Sequence, residues 1–351
     1  MRQTGAPMTS FETVSDSNRS PVRARSVFVT GADGFVGRAV CERLLAAGWA
    51  VTAGVRTEQR PVVAGATRCA TGPIESADWA RRLAGHAAVI HLAARVPGGP
   101  FAGRAAQAAY RLVNTEATTR LAQAAAAAGV TRLVFASSIK VFGEPDTAAA
   151  LTEASPARAD DPYGISKHEA ERALQAVAAA TGLGVTVVRP PVVYGPGMQG
   201  NLLRLMRLIE RGLPLPFEGV ANRRSLVSVW NLADLIACCV EHPSAIGRTF
   251  VAADHPPLST PELVHTLAHA LGTRARLFRS PPVLWRMLAR APALGGAVRR
   301  LTGSLVVDAA LARERLGWQP PMSAAEGFAR TASWYRNRSQ PAVARKVATP
   351  A

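Results

Sequence analysis

Tyr163 and Lys167 stand four residues apart in the run Tyr163-Gly164-Ile165-Ser166-Lys167. On a helix that spacing stacks both side chains on one face. A phenol titrates near 10 in water, and a neighbouring ammonium favours its ionised form, so the pair is expected to lower the tyrosine towards neutrality. Such a phenol can exchange a proton with a substrate hydroxyl. The bland reading is a surface tyrosine beside a solvated lysine. With three lysines and four tyrosines in 351 residues, only about 0.03 such pairs arise by accident. Ser138, in Phe135-Ala136-Ser137-Ser138-Ile139-Lys140-Val141, supplies a hydroxyl that could steady charge on the reacting oxygen. Serines are also common turn residues, and it is Tyr163 further along the chain that favours the chemical reading.

A second constellation is Gly31-Ala32-Asp33-Gly34-Phe35-Val36-Gly37, which follows a β-branched run and opens a helical pattern. Glycines there let the backbone turn tightly and approach a pyrophosphate, and the helix N-terminus offers free N–H groups. The glycine spacing is weak alone and strong in this strand-to-helix setting. The cofactor is decided at the end of the second strand, where an acidic residue holds a ribose hydroxyl and an arginine accepts an extra phosphate. Arg56 stands there, with Glu58 two positions on. Arg56 favours NADP(H), with NAD(H) as the alternative.

These groups need a scaffold. Apolar strand runs at Ser26–Thr30, Ala50–Val55, Ala87–Leu92, Arg132–Ser137 and Val185–Arg189 alternate with helical patterns at Val36–Ala47, about Arg104–Ala128 and Pro162–Ala180. Such alternation predicts an α/β fold, a doubly wound parallel sheet of Rossmann type covered on both faces. After Arg189 the prolines 190, 191, 196, 214 and 216 break the rhythm, and Phe250–Ala253 reads as a late strand. The expected organisation is a loose tail over 1–24, an NAD(P)-binding domain over 25–190, a mostly substrate-binding, smaller C-terminal lobe over 191–336, and a tail over 337–351.

Composition narrows the partners. Hydrophobic residues make up 48% and charged residues 19%, as in a folded globule. The formal charge is +17, carried by 38 arginines and the lysines Lys140, Lys167 and Lys346. No basic run or recognition motif accompanies it, so nucleic acid is not an expected partner. Cys41, Cys69, Cys238 and Cys239 form no C-x-x-C pair, so no metal site or disulfide framework is expected, and a cytoplasmic location fits. The greasiest segment, Pro281–Val298, is interrupted by Arg286, Arg290 and Pro292. It is no spanning helix, and its expected use is packing, with weak membrane-surface association as the alternative.

Together the glycine loop, His91-Leu92-Ala93-Ala94, Ser137-Ser138, Tyr163-x-x-x-Lys167 and Arg189-Pro190-Pro191-Val192-Val193-Tyr194-Gly195-Pro196-Gly197 resemble the NAD-dependent epimerase/dehydratase family of extended short-chain dehydrogenases. The resemblance covers about residues 26–334. It implies an acid/base tyrosine at Tyr163, a lysine at Lys167 that binds the nicotinamide ribose, and a serine at Ser138 that contacts the substrate oxygen. It implies cofactor contacts from Gly31, Gly34, Phe35, Val36, Gly37, Leu92, Ala93, Ala94 and Pro190 as well. The segment Arg224-Ser225-Leu226-Val227-Ser228-Val229-Trp230-Asn231-Leu232 resembles one whose arginine clamps a nucleotide-sugar pyrophosphate. Gly200-Asn201-Leu202 resembles the start of the helix lining that site. Substrate contacts are thus implied for Ser138, Lys140, Asn201 and Arg224. Asn231 stands where the family usually has aspartate, and Pro73 replaces the aspartate of a Gly-Asp-[Ile/Leu] run.

The runs at 137–141, 223–226 and 301–308 are similar to a branch serving surface polysaccharides. That branch implies a nucleotide-sugar oxidoreductase acting at C4 of a UDP-hexose, reducing a UDP-4-keto-6-deoxy-N-acetylhexosamine with NADPH. The alternatives are a UDP-glucose or UDP-N-acetylglucosamine 4-epimerase with tightly bound NAD, and a non-catalytic NAD(P)-sensing module. A polyprenyl-diphosphate-linked sugar is a further alternative, motivated by the apolar residues around Leu284–Leu294. Family habit implies a homodimer through the two long helices.

Overall fold

Every residue of β1 (Ser26–Thr30), β4 (Ala88–His91) and β6 (Gly184–Arg189) is buried. Strands covered on both faces belong in the middle of a parallel sheet. The computed structural model describes residues 25–97, 103–143, 149–281 and 301–339, with residues 283, 285, 287, 290 and 298 between the last two. The sheet also contains β2 (Ala50–Val55), β3 (Thr67–Ala70), β5 (Arg132–Ala136) and β9 (Thr249–Val251). Its order is β3-β2-β1-β4-β5-β6-β9, with every pairing parallel. The order reverses between β1 and β4, and ligands of such sheets bind outside the carboxyl ends of the strands at that point.

Successive residues of a strand face opposite sides. Val27 and Val29 join a core with Val40, Leu44, Ile236 and Phe250, beneath α1 (Phe35–Ala46) and α7 (Val229–Glu241). Phe28, Val89, Leu133 and Phe135 face the other core. It lies under α2 (Trp79–Leu83), α4 (Ala117–Ala127) and α5 (Pro162–Thr181). α7 and β9 thus return to the sheet from the C-terminal half. Asp234 on α7 binds Arg43 of α1 at 2.5 Å and accepts from Trp318 at 2.9 Å.

The helix expected over about 104–128 has three parts. α3 (Gly103–Tyr110) leads into a π-helical stretch, Arg111–Glu116, before α4. The wider turn lets Asn114 point inward, where its Nδ2 donates to Ser166 Oγ and its Oδ1 accepts from Arg95 N–H.

A two-stranded sheet of β7 (Val192–Tyr194) and β8 (Leu226–Ser228) begins the second layer, with α6 (Asn201–Glu210) and α8 (Thr260–Leu271). α9 (Ala310–Leu316) and α10 (Ala324–Ser339) close the chain. Tyr194 stacks on Phe328 of α10 at 4.2 Å. Asp254 accepts from Tyr194 OH, Ser228 N–H and Asn231 Nδ2. Asn231, at the position usually acidic in the resembled family, also donates to Met322 O and accepts from Met322 N–H. A carboxylate there could not donate to Asp254 or to the carbonyl, and two buried like charges would face each other.

Of the expected tails, 1–24 and 340–351 lie outside the described residues, while 337–339 complete α10. The apolar segment around Leu284–Leu294 also lies mostly outside them. Among the described residues no helix is long and apolar enough to cross a membrane.

Candidate active site

The glycine loop leaves β1 at the reversal point. Gly31 has φ +66°, and a Cβ there would stand 2.9 Å from Ala93 N. A Cβ on Gly37 would overlap Gly31 O. Side chains are therefore excluded where the loop packs against the Leu92–Ala94 turn and its own helix. α1 starts behind Gly34 with no side-chain cap and no acid in its first turn. By contrast, α5 is capped by Asp161 and α8 by a Ser259–Glu262 capping box. The α1 terminus thus keeps its N–H groups for a ligand.

A cleft of about 960 Å³ opens over this loop. Gly31, Gly34, Phe35, Val36, Gly37, Leu92, Ala93 and Ala94, the residues expected to contact a cofactor, all line it. Arg56 does not. It is exposed beyond β2, whereas Arg60 lines the cleft and pairs with Asp33 of the glycine loop at 3.1 Å.

Beneath the Leu92–Ala94 turn lies a buried chain of hydrogen bonds. Thr30 Oγ1 accepts the N–H groups of Leu92 and Ala93, both at 3.1 Å, so its own hydrogen goes to His91 Nδ1 at 2.7 Å. Nε2 must then carry the ring proton, donating to Thr118 Oγ1 at 2.9 Å, and Thr118 donates to Asn114 O. Burial, helped by the charge of Lys167, lowers His91 to about 3 and keeps it neutral. Thr30, His91, Thr118 and Asn114 together fix the turn. Sequence reasoning quoted His91 only within a motif and missed the other three, which no spacing distinguishes from ordinary strand and helix residues.

Strand order carries the site from β4 to the ends of β5 and β6. Ser138 follows β5, and its Oγ accepts the N–H of Lys140 at the start of the single 3-10 turn Ile139–Phe142. Pro190 follows β6, and its carbonyl accepts Ile139 N–H at 3.0 Å. Asp161 and Pro162 set the start of α5, so Tyr163 and Lys167 project from its first two turns. The Ser138 hydroxyl stands next to that of Tyr163 and acts to lower its pKa. Tyr110 stands edge-on to the Tyr163 ring at 6.0 Å.

The electrostatics differ from the sequence expectation. Burial pushes Tyr163 up to about 12, against a smaller lowering by the Ser138 hydroxyl, with Asp161 and Tyr110 raising it further. Lys167 is buried with Nζ 4.1 Å from the centre of the Phe135 ring, and burial lowers it to about 7, with Glu171 acting in the opposite sense. The polypeptide thus holds a protonated phenol beside an amine that titrates near neutrality. Glu171 is buried and grips Arg189 through both oxygens, at 3.0 and 2.6 Å, which ties α5 to the end of β6.

Of the remaining expected residues, Lys140 sits at the edge of this group, while Asn201 and Arg224 belong to the second layer. Lys140 Nζ lies 3.7 Å from Asp161. Asn201 opens α6 and is exposed. Arg224, just before β8, gives one guanidinium N–H to Gly303 O at 3.0 Å.

Residues 27–253 match the sequence profile of the NAD dependent epimerase/dehydratase family. The chain belongs to that family. A UDP-glucose 4-epimerase of Vibrio cholerae is 38% identical over 313 residues, spanning 88% of this chain and 94% of the relative. A UDP-glucose 4-epimerase of Mycolicibacterium smegmatis is 30% identical over 334 residues, spanning 89% and 99%. Among solved structures, MoeE5 in complex with UDP-glucose and NAD matches with a TM-score of 0.72 at 28% identity, covering 89% of this chain and 99% of that one. As a member of the epimerase/dehydratase family the chain is an NAD(P)-dependent enzyme of epimerase or reductase type, which sets aside the non-catalytic sensing module.

Proposed function

We propose that the chain reduces the C4 ketone of a UDP-4-keto-6-deoxy-N-acetylhexosamine, with NADPH as the hydride donor. The observation that carries this reading is the half-buried Tyr163 phenol, held protonated next to the Ser138 hydroxyl and one helical turn from the buried Lys167. The uncapped α1 terminus and the close-packed glycines 31 and 37 fit a dinucleotide pyrophosphate. When bound, the dihydronicotinamide supplies a hydride to the ketone carbon. Tyr163 gives its proton to the ketone oxygen, so hydride and proton together make the alcohol. Ser138 donates to the same oxygen and steadies its developing charge. Lys167, lowered to about 7, returns a proton to the phenolate from solvent-linked groups. Arg60 and Arg56 supply cationic charge near the end of β2 for the phosphate that distinguishes NADPH. Arg224, Asn201 and Lys140 are assigned to the diphosphate and sugar of the substrate.

A second reading, 4-epimerisation of a UDP-hexose with NAD retained between turnovers, draws support from the 38% identical epimerase. One experiment separates them. The purified protein is denatured and the released nucleotide identified, and NADPH and NADH oxidation are followed with the UDP-4-keto-sugar. Stoichiometric NADPH consumption is the expected result. Bound NAD, with inversion of a UDP-hexose and no added cofactor, would replace the reductase by the epimerase.

A further inference from the structure

One end of the C-terminal layer carries apolar side chains in water. Leu213 is 43% exposed, Phe278 48%, Val283 55% and Met287 66%, four of the eight exposed large hydrophobic residues of the described chain. They form one face. Leu215 and Leu277 pair as a parallel bridge, which sets Leu213 and Phe278 on neighbouring segments, and Phe278 O accepts the N–H of Glu218. Trp285 stacks on Phe217 at 5.6 Å, which fastens the helical residues 283, 285 and 287 to the same place. Val283 and Met287 lie two residues either side of Trp285, so on a helix they turn away from Phe217 and share one outward stripe with Arg290.

Charge surrounds the apolar residues. Arg211, Arg274, Arg276, Arg279 and Arg290 are all exposed. The Arg276 guanidinium lies 3.9 Å and the Arg279 stem 3.5 Å from the positions a Cβ would take on Gly212 and Gly219, which lays both over the 211–219 segment. Among the described residues none of the five forms an ion pair with a carboxylate. Among the described residues the exposed acids on these segments are Glu218 and Glu210, the latter accepting from Tyr335 OH. A soluble surface normally scatters its exposed hydrophobic residues singly, and a cluster ringed by cations fits an interface between apolar and anionic layers.

We propose that this face rests on an anionic membrane surface, with Leu213, Phe278, Val283 and Met287 entering the acyl boundary and the arginines at headgroup level. Acidic lipid is the complementary occupant, because it supplies apolar depth and negative charge in one plane. This places the enzyme on a bilayer through a surface contact, whichever nucleotide sugar it uses.

The test is flotation of the full-length protein with vesicles of equal parts phosphatidylglycerol and phosphatidylcholine, beside vesicles of phosphatidylcholine alone. Binding to the anionic vesicles and little to the neutral ones is expected. The paired variant Phe278→Ser/Met287→Ser should lose most of that binding while its melting temperature is kept. Arg276→Gln and Arg279→Gln should each weaken it about fivefold. Arg313→Gln/Arg315→Gln, exposed on α9, serves as the control and should leave it unchanged. Absence of anionic-vesicle binding overturns the proposal. So does equal weakening by the control pair, which would trace binding to overall charge. So does vesicle binding that survives the serine pair while a dimer in solution is lost, which would assign the face to a second copy.

Discussion

Lys167 and Tyr163 are displaced from their usual titration ranges in opposite senses, and the folded protein should reveal this without any ligand. Lys167 falls from an ordinary value of 10.5 to about 7 on burial, so between those values the unfolded chain binds a proton that the folded chain lacks. Stability contributed by this residue therefore rises with pH from about 7 to about 10.5. Tyr163 is raised from 10.0 to about 12, so it opposes further gain above pH 10. Thermal melts of Lys167→Met should show a flatter rise between pH 7 and 10 than the parent, and an identical slope would contradict the buried amine. Tyr163→Phe should reduce turnover by about 10²–10⁴-fold. Cofactor affinity measured by titration should stay near that of the parent, since the ring and its Tyr110 contact are kept. The same residues mark how far sequence reading reaches. Helical spacing gives the adjacency of Tyr163 and Lys167 directly. The direction of the tyrosine shift depends on burial, as does that of the lysine over the Phe135 ring, and these are tertiary facts.

At the level of elements, the central strands were legible because β1, β4 and β6 each hold a short β-branched, apolar run, as suits strands buried at every position. β3 was not, for Thr67 and Arg68 are exposed and Cys69 and Ala70 only half-buried, as suits a sheet edge. β7 and β8 have three residues each, too few for a period to register. The π-helical stretch escaped because Arg111–Glu116 has the composition of any helix, and only the inward bonds of Asn114 betray the wider turn. Arg56 and Arg60 diverge for a similar reason, since which arginine faces the cleft depends on the course of the chain after β2, where Arg60 pairs with Asp33. The glycine loop makes a sharp prediction at this scale. Gly37→Ala forces a methyl group onto Gly31 O, which must shift the loop away from the α1 terminus. Dinucleotide binding, read by calorimetry, should fall at least about tenfold, with the loss far smaller for Gly72→Ala at a site where a Cβ meets nothing within 4 Å.

Across the whole molecule, the two layers are joined by polar groups as much as by apolar packing. Asn231 on α7 binds Asp254 after β9 and both backbone groups of Met322 ahead of α10. Asn231→Asp would set a second carboxyl against Asp254, whose own carboxyl burial already raises. The added acid would titrate higher in the folded than in the unfolded chain, so its penalty is small in acid and grows as pH rises. Urea unfolding should show a loss of about 3 kcal/mol at neutral pH, shrinking towards pH 5. Met322, Gly327 and Phe328 come late in a chain whose large sheet is complete by Val251, yet Tyr194 lies flat on Phe328 with its hydroxyl against Gly327. During synthesis, then, the strands that carry Ser138 and the glycine loop can assemble while the chain is still tethered to the ribosome. The half that faces the second ligand has to wait for α10, the last helix among the described residues, to emerge.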